Sequence, residues 1–212
     1  MTEDPAEARR RRIEDAAFRL LAEKGFRSTS MLEIAKRAGT SNQTLYALYG
    51  SKQGLFGSII EANGRKVQAL LAEEAAARRT PLTTLQALGP PLLRYVTGES
   101  AVAMNRAAIA DATESGTLGQ AIEDIGRGIV FPMICALMER LAGDGRLRFD
   151  QGPEEAAQTY VALLFGETQI RLARGGRAPL TEAEIEAHAA RTYALFTRAY
   201  LSSTPVSGPA PP

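Results

Sequence analysis

Residues 32–46 of this 212-residue chain read LEIAKRAGTSNQTLY, and this stretch decides the fold. Apolar residues recur at helical spacing on both sides of Gly39, which predicts two short helices joined by a tight turn. Glycine permits a positive φ at the turn, so the two helices can cross at a steep angle. The residues predicted to hold that crossing against a preceding helix are apolar: Ile34, Ala35, Leu45 and Leu48.

The second helix of this pair has a polar surface that is unusual for so short an element. Small polar groups and one phenol can reach base edges and phosphates from a DNA major groove. The helix N-terminus also directs free N–H groups and a partial positive charge at phosphate. An ordinary helical hairpin with a solvated polar face fits the same pattern. The residues concerned are Thr40, Ser41, Asn42, Gln43, Thr44 and Tyr46.

The rest of the chain also reads at helical period, without sustained strand alternation, which predicts an all-α fold. A first helix stops at Gly25, and the capping box Ser30–Glu33 starts a second that runs to about Ala38 and buries Leu32. A third runs to Tyr49, and a long fourth runs from Lys52 to about Arg79. Further helices are predicted over residues 82–97, broken or kinked at 89–91, over 101–114, over 118–142 with a bend at Pro132, and over 153–174 and 181–201.

Positive charge is concentrated at the N-terminal end. Between Arg9 and Lys52 the chain has ten basic and four acidic side chains, although its net charge is only +1. A basic end on a neutral or acidic body indicates a polyanionic partner contacted by that end, or else a set of solvated helix faces. The run Arg9–Arg12 could follow DNA as an arm or simply begin a helix.

Composition argues against most enzyme classes. The single cysteine, Cys135, has no intramolecular disulfide partner, and the single histidine, His188, excludes multi-histidine metal sites and disfavours a hydrolase triad. We therefore predict no catalytic residues, no metal and no cofactor. No apolar run approaches the roughly 18 residues of a membrane span, and residues 1–5 lack a signal-peptide pattern. We expect a cytoplasmic protein without a membrane partner.

One pattern of residues runs without a gap from the first helix into the fourth: Ala16, Leu20-Leu21, Glu23-Lys24-Gly25-Phe26, Thr29-Ser30-Met31, Ile34-Ala35, Ala38-Gly39, Ser41, Thr44-Leu45-Tyr46, Tyr49, Ser51-Lys52 and Leu55-Phe56. With this pattern, residues 13 to about 60 resemble the DNA-binding domain of the TetR family of bacterial transcriptional regulators. The chain departs from the family at Asn42 and Gln43, where the family often has a basic or small residue and then glycine, and at Tyr49, where Phe is commoner.

The resemblance implies a domain plan and DNA contacts. It implies a DNA-binding domain over 9–56 with its helix-turn-helix at about 30–49 and a helical ligand-binding and dimerisation domain over 57–201. Residues 1–8 are predicted to be flexible, and the tail 202–212, rich in serine and proline, is predicted to be disordered. Thr29 and Lys52 would bind DNA phosphates, and Tyr46 would form a hydrogen bond with a further phosphate. Bases or the near backbone would be met by Thr40, Ser41, Gln43 and Thr44, with Asn42 beside them; Asn42 and Gln43 could pair with adenine.

The same resemblance implies a small-molecule effector and a homodimer. Candidate linings of an effector pocket are Leu92, Tyr95, Met104, Asn105, Ala108, Ile129, Met133 and Phe165. Arg106, Asp111 and Glu167 are possible polar anchors. Candidate dimer residues on the last two helices are Tyr160, Leu164, Ile185, His188, Thr192 and Phe196, although these stripes could instead be internal core.

The sequence therefore predicts a homodimeric, ligand-responsive regulator of double-stranded operator DNA, most simply a repressor. Two alternatives remain open: an activator of the same fold, and a helical small-molecule-binding protein whose DNA-binding head is vestigial. Cys135 is either a buried, inert thiol or a redox sensor.

Overall fold

The computed structural model describes residues 4–77 and 80–201, and within these ranges the chain is helical, without an extended strand. The helices are α1 Pro5–Ser28, α2 Met31–Ala38, α3 Asn42–Tyr49, α4 Lys52–Ala76, α5 Pro81–Thr97, α6 Glu99–Asp111, α7 Thr117–Ile125, a π-helical segment Gly126–Val130, α8 Phe131–Gly143, α9 Pro153–Phe165, α10 Thr168–Ala173 and α11 Glu182–Tyr200. The predicted all-α class is confirmed.

Helices α1–α3 form an N-terminal head around a small apolar core. Gly25, at φ 78°, interrupts α1 where the sequence predicted its end. The capping box at Ser30 forms, and Gly39 ends α2 in the left-handed conformation at φ 66°. Ile34, Ala35 and Leu45 are buried as predicted, whereas Leu32 and Leu48 are 50% and 42% exposed. The two leucines were wrongly predicted because they lie on the outer faces of their helices.

The first helix begins earlier than the sequence predicted. Asp4 caps α1 by accepting a hydrogen bond from the Ala6 N–H at 3.0 Å, and Pro5 occupies the first helical position, which suits its fixed φ. Residues 5–8, predicted to be flexible, are therefore helical. The run Arg9–Arg12 lies in the first turns of α1 with its side chains exposed. The tail predicted to be disordered, 202–212, lies outside the described residues.

The core of the head does not stop at the predicted domain boundary between residues 56 and 57. Ile59 and Ile60 of α4, Met104 and Ala107 of α6, and Leu118 of α7 are buried in the same apolar cluster as the head residues. The body comprises α4–α11, and a second cluster within it joins α5, α8, α9 and α11 to Val67 and Leu71 of α4. The head is thus packed directly onto α6 and α7.

Prolines and glycines shape the body differently from the prediction. Helix α5 continues through Gly89-Pro90-Pro91 without a break, and a Cβ on Gly89 would lie only 3.1 Å from that of Ala189, so α5 packs closely on α11. The π-helical segment ends at Val130, two residues before Pro132, where the sequence predicted a bend. The helix predicted over 153–174 is divided at Gly166, whose φ is 46°.

None of the described helices combines the length and the apolar character needed to cross a bilayer. No cluster of three or more histidine, cysteine or carboxylate side chains with the geometry of a metal site occurs among residues 4–77 and 80–201.

Candidate nucleic-acid interface and internal cavity

The N-terminus of α3 is built from hydroxyl groups. Ser41 caps the helix: its Oγ accepts a hydrogen bond from the Thr44 N–H at 3.0 Å and lies 2.8 Å from Thr44 Oγ1. Thr40, half-buried, completes the turn by donating its N–H to Ala35 O at 3.0 Å. Gln43 is exposed, and Tyr46, one turn later on the same side, is 49% exposed. These side chains form one outward polar surface on α3.

Asn42 does not contribute to this surface as predicted. Its Oδ1 is buried and accepts no hydrogen bond within the described chain. Bidentate pairing with adenine uses both the oxygen and the nitrogen of the carboxamide. In this conformation the Asn42 oxygen is not accessible to such pairing, so its contact with bases stays a prediction, and Gln43 is the exposed amide of α3.

Thr29 and Lys52 brace the head instead of projecting towards a partner. Thr29 is 2% exposed, and its hydroxyl donates to Gly25 O at 2.8 Å. The Lys52 ammonium donates to Phe26 O at 2.9 Å and to Thr29 O at 3.1 Å, and lies 4.2 Å from the centre of the Phe26 ring. The predicted phosphate contacts of both side chains stay predictions: the Thr29 hydroxyl and two of the three ammonium protons of Lys52 are used at the α1–α2 junction, which leaves one proton of Lys52 for a further partner.

Ion pairs inside the head neutralise part of its positive charge. Arg37 pairs with Glu23 at 2.6 Å, and Lys24 pairs with Glu33 at 2.5 Å. Hydrogen bonds from Lys24, and from the hydroxyl and N–H of Ser30, lower the pKa of Glu33 from 4.5 to about 2. Lys36, on the exposed side of α2, has no ion pair with any described residue.

The body contains a cavity of about 680 Å³. Its walls come from α4, α5, α6, α7, the π-helical segment, α8, α9 and α10, so one empty space touches most of the body. The apolar side chains that line it are Ile60, Val67, Leu92, Tyr95, Val96, Met104, Ile122, Ile125, Val130, Phe131, Ile134, Val161 and Phe165. This size and this mostly apolar lining are typical of small-molecule sites.

Five of the eight side chains predicted to line a pocket do line this cavity: Leu92, Tyr95, Met104, Asn105 and Phe165. Ala108, Ile129 and Met133 do not. Ala108 is buried in the core beneath the head. A π turn contains one more residue than an α turn, so it rotates the helix that follows; Val130 and Ile134 line the cavity in place of Ile129 and Met133.

The polar lining was largely missed by the sequence analysis. It includes Asn63, Ser100, Gln158 and Gln169, with Lys66, Glu123 and Arg127 exposed. On α4 the lining residues Ile60, Asn63 and Val67 follow helical spacing, and this stripe was the available signal. Arg106 and Asp111 are not anchors: Arg106 donates to Leu172 O and Ala173 O at 2.8 Å, and Asp111 is fully buried.

Two helices connect the cavity to the head. Helix α4 lines the cavity and begins at Lys52, beside the α1–α2 junction. Helix α6 lines it with Met104 and Asn105, and its C-terminal end receives Arg27 of α1, which donates to Ala110 O at 3.3 Å and to Thr113 Oγ1 at 3.2 Å. A movement of either wall would therefore reach the head through direct contacts.

The side chains predicted to form the dimer interface lie inside the protomer. Five of them are at most 4% exposed: Tyr160, Leu164, Ile185, Thr192 and Phe196. His188 is half-buried, and its Nε2 lies 2.9 Å from Leu164 O. The dimer prediction is wrong for the five buried side chains, because they pack α9 and α11 inside the protomer, and for His188 it stays a prediction.

The outer faces of the same two helices carry small and apolar side chains. Leu163 of α9 is 37% exposed and Leu195 of α11 is 49% exposed. They are accompanied by exposed alanines at positions 187, 190 and 194 of α11. Exposed leucines among small residues are common at helix–helix interfaces between subunits.

Cys135 has the environment of an unreactive thiol. It is half-buried. Burial, followed by the nearby charges of Glu154 and Glu139, raises its pKa. A raised pKa disfavours the thiolate, which is the reactive form.

Comparison with known families identifies the chain. The family described as "Bacterial regulatory proteins, tetR family" matches residues 13–59. The family described as "AefR-like transcriptional repressor, C-terminal domain" matches residues 83–202, which is more than half of the chain. The protein belongs to the TetR family. Members of the TetR family are DNA-binding transcriptional regulators and not enzymes.

Individual relatives agree with this membership. The HTH-type transcriptional regulator YvkB of Bacillus subtilis (strain 168) is 38% identical over 68 residues, but this match spans only 32% of the present chain and 30% of YvkB. A TetR-family regulator from Mesorhizobium loti MAFF303099 is similar in structure, with a TM-score of 0.77 and 25% identity. The match covers 94% of the present chain and 100% of that regulator. The flavonoid-responsive regulator FrrA has a TM-score of 0.67 and 27% identity, and the match covers 92% of the present chain and 98% of FrrA.

Proposed function

We propose that this TetR-family regulator is a repressor that binds a palindromic operator as a homodimer and leaves it when a small molecule enters the cavity. The observation that carries the proposal is the shared wall: α4 and α6 line the cavity, and both contact the head that presents α3. Such a protein would act in the cytoplasm, where its operator is.

The outward surface of α3 would enter the major groove. Gln43 is the exposed amide that can pair bidentately with adenine, and Tyr46 would donate its hydroxyl to a phosphate. Thr40, Ser41 and Thr44 would approach the backbone at the helix N-terminus, where the helix dipole favours phosphate. Lys36 would add positive charge beside this surface.

The exposed faces of α9 and α11 would form the dimer interface. Leu163 and Leu195 supply apolar area, and the neighbouring alanines allow helices of two protomers to approach closely. Their pairing would create a four-helix contact. A two-fold dimer presents two recognition helices to two half-sites, spaced by about one DNA turn of roughly 34–36 Å.

Release would follow from a difference in effector affinity between two arrangements of the heads. In one arrangement of α4 and α6 the two heads would be spaced to fit the operator, and in the other they would not. An effector that binds the second arrangement more tightly would shift the population away from the operator-binding state. The cavity volume supports an effector of drug-like size. The relative named flavonoid-responsive also supports a small-molecule effector in this family.

The proposal can be tested on the DNA upstream of the protein's own gene, because many regulators of this family control their own genes. Fluorescence anisotropy across a salt series should give tight binding whose log affinity falls linearly with log salt. A transcriptional reporter under that promoter should rise when the gene is deleted. A reporter that falls would indicate an activator, and binding that ignores DNA sequence at every promoter tried would contradict operator recognition.

A further inference from the structure

The wall of the cavity between α4 and α6 contains two carboxamides held in place by their nitrogens. Asn63 donates its Nδ2 to Ser100 Oγ at 3.1 Å, and Asn105 donates its Nδ2 to Ala101 O at 2.9 Å. Neither Oδ1 accepts a hydrogen bond from any described residue, and neither atom is buried away from solvent. Both oxygens remain available to accept a hydrogen bond from a molecule in the cavity.

A third unused polar group lies nearby on α5. Tyr95 lines the cavity, and its hydroxyl makes no hydrogen bond within the described chain. Burial raises the pKa of this phenol, so it remains a neutral hydroxyl at physiological pH. A plain hydrocarbon chain filling the cavity would leave all three groups without partners. Each unpaired group lowers affinity by roughly fivefold or more.

The cavity offers no enclosed cation to an anionic ligand. Its basic lining residues, Lys66 and Arg127, are both exposed to solvent, and Arg127 is paired with Glu123 on the preceding turn. An anion that entered the cavity would lose its hydration without gaining an enclosed counter-charge. It would also face the lone pairs of the two amide oxygens.

We propose that the effector is an uncharged, mostly apolar molecule that carries a hydroxyl or N–H donor directed at Asn63 and Asn105. The inference rests on the proposed function, since it assumes that this cavity is the effector site. It narrows the effector to neutral donors and excludes fatty-acid-like anions and simple hydrocarbons.

Three matched probes test this class: 4-hydroxybiphenyl, 4-methoxybiphenyl and biphenyl-4-carboxylate. They share an apolar body and differ in offering a donor, an acceptor or an anion. Dissociation constants of the full-length protein can be measured by displacement of the neutral dye Nile red. We expect the hydroxyl probe to bind at least about fivefold more tightly than either of the others, which is the effect of one hydrogen bond.

Variants locate the contact. Asn105→Leu removes the acceptor at similar volume and should reduce the preference for hydroxyl over methoxy to less than twofold. Tyr95→Phe keeps the ring and should weaken the hydroxyl probe without weakening the methoxy probe equally. Gln120→Leu is the control, because Gln120 is exposed on α7 and does not line the cavity. Thermal melting of each variant shows whether it is folded. The comparison of the three probes on the wild-type protein tests the proposal even if a variant does not fold.

Three outcomes would overturn the proposal: a preference for the carboxylate, equal affinity for the hydroxyl and methoxy probes, or no binding by any probe. None of them depends on DNA. A protein that binds its operator but prefers the carboxylate would refute the effector class alone, whereas a protein that binds the hydroxyl probe but no DNA would refute the proposed function alone.

Discussion

Gly64 of α4 lies directly against Ile125 at the end of α7: a Cβ built on Gly64 would come within 2.6 Å of Ile125 Cδ1 and 2.8 Å of Cγ1 and Cγ2. Ile125 lines the cavity and is followed at once by the π-helical segment. The helix that leads to the head therefore touches the cavity wall where there is no room for a methyl group. Small shifts of α7 must be taken up by α4 at this point.

Gly64→Ala should destabilise the protein even though alanine is the better helix former. Overpacking against Ile125 is expected to lower the free energy of unfolding by about 1–3 kcal/mol, measured by urea denaturation. Gly57→Ala on the same helix is the matched control, because a Cβ there meets nothing within 4 Å. It should raise stability by about 0.5–1 kcal/mol. Equal effects of the two substitutions would contradict the close contact.

Lys52→Met should impair the stability of the head more than its electrostatic attraction to DNA. The substitution removes the Lys52 donor from Thr29 O and leaves Phe26 O with the Thr29 N–H alone, which we expect to cost about 1–3 kcal/mol. The slope of log affinity against log salt should stay unchanged, whereas losing a phosphate contact would reduce it by about 0.9. Unaltered stability together with a shallower slope would restore the phosphate role that the sequence predicted.

Leu195→Asp should convert the proposed dimer into a folded monomer. The side chain is 49% exposed on α11, so a charge there leaves the protomer core intact but opposes burial against a second copy. Sedimentation velocity should show the change in mass. Ile109→Asp is the control, because Ile109 is 60% exposed on α6, away from α9 and α11. Dissociation by both variants, or by neither, would argue against this interface.

Glu33 should make the capping of α2 sensitive to acid. Its pKa is lowered from 4.5 to about 2, so the ionised carboxylate stabilises the fold above about pH 4.5, and this contribution disappears as pH falls towards 2. Glu33→Gln keeps a capping side chain but loses the charge that faces Lys24. The destabilisation it causes should be complete at pH 6 and should decline between pH 4.5 and 2. A pH-independent difference would show that the charge has no role.

The sequence predicted most of the head and much less of the body, for physical reasons. In the head, local signals coincide with the structure: the capping box at Ser30, the glycine stops at Gly25 and Gly39, and the cap at Ser41. The capping box and the glycine stops were predicted, whereas the cap at Ser41 was found in the structure; all of them depend on neighbours a few residues away. Tertiary contacts decide which donors a side chain has already used, and so the two partners of Lys52, which lie 23 and 26 residues away, could not be predicted from the sequence.

The sequence predictions for the body were wrong where packing decides which of two similar helix faces is buried. Both faces of α9 and α11 carry apolar residues, and periodicity alone could not tell that Phe196 is internal while Leu195 is exposed. The π-helical segment changed the lining residues of α8 by rotating the helix, an effect for which the sequence gives no local signal. The π turn explains why Ile129 and Met133 do not line the cavity as predicted. Leu92, Tyr95 and Met104 do line it, as the sequence predicted.

The most direct test of operator recognition by α3 is the affinity of three proteins for one operator duplex: wild type, Gln43→Ala and Gln120→Ala. Gln43 is exposed on α3, and Gln120 is an exposed glutamine on the body, so both substitutions remove the same group without touching a core. Fluorescence anisotropy should show that Gln43→Ala loses about fivefold or more in affinity, with unchanged thermal stability, while Gln120→Ala matches wild type. Three indistinguishable affinities would contradict the reading of DNA by this surface.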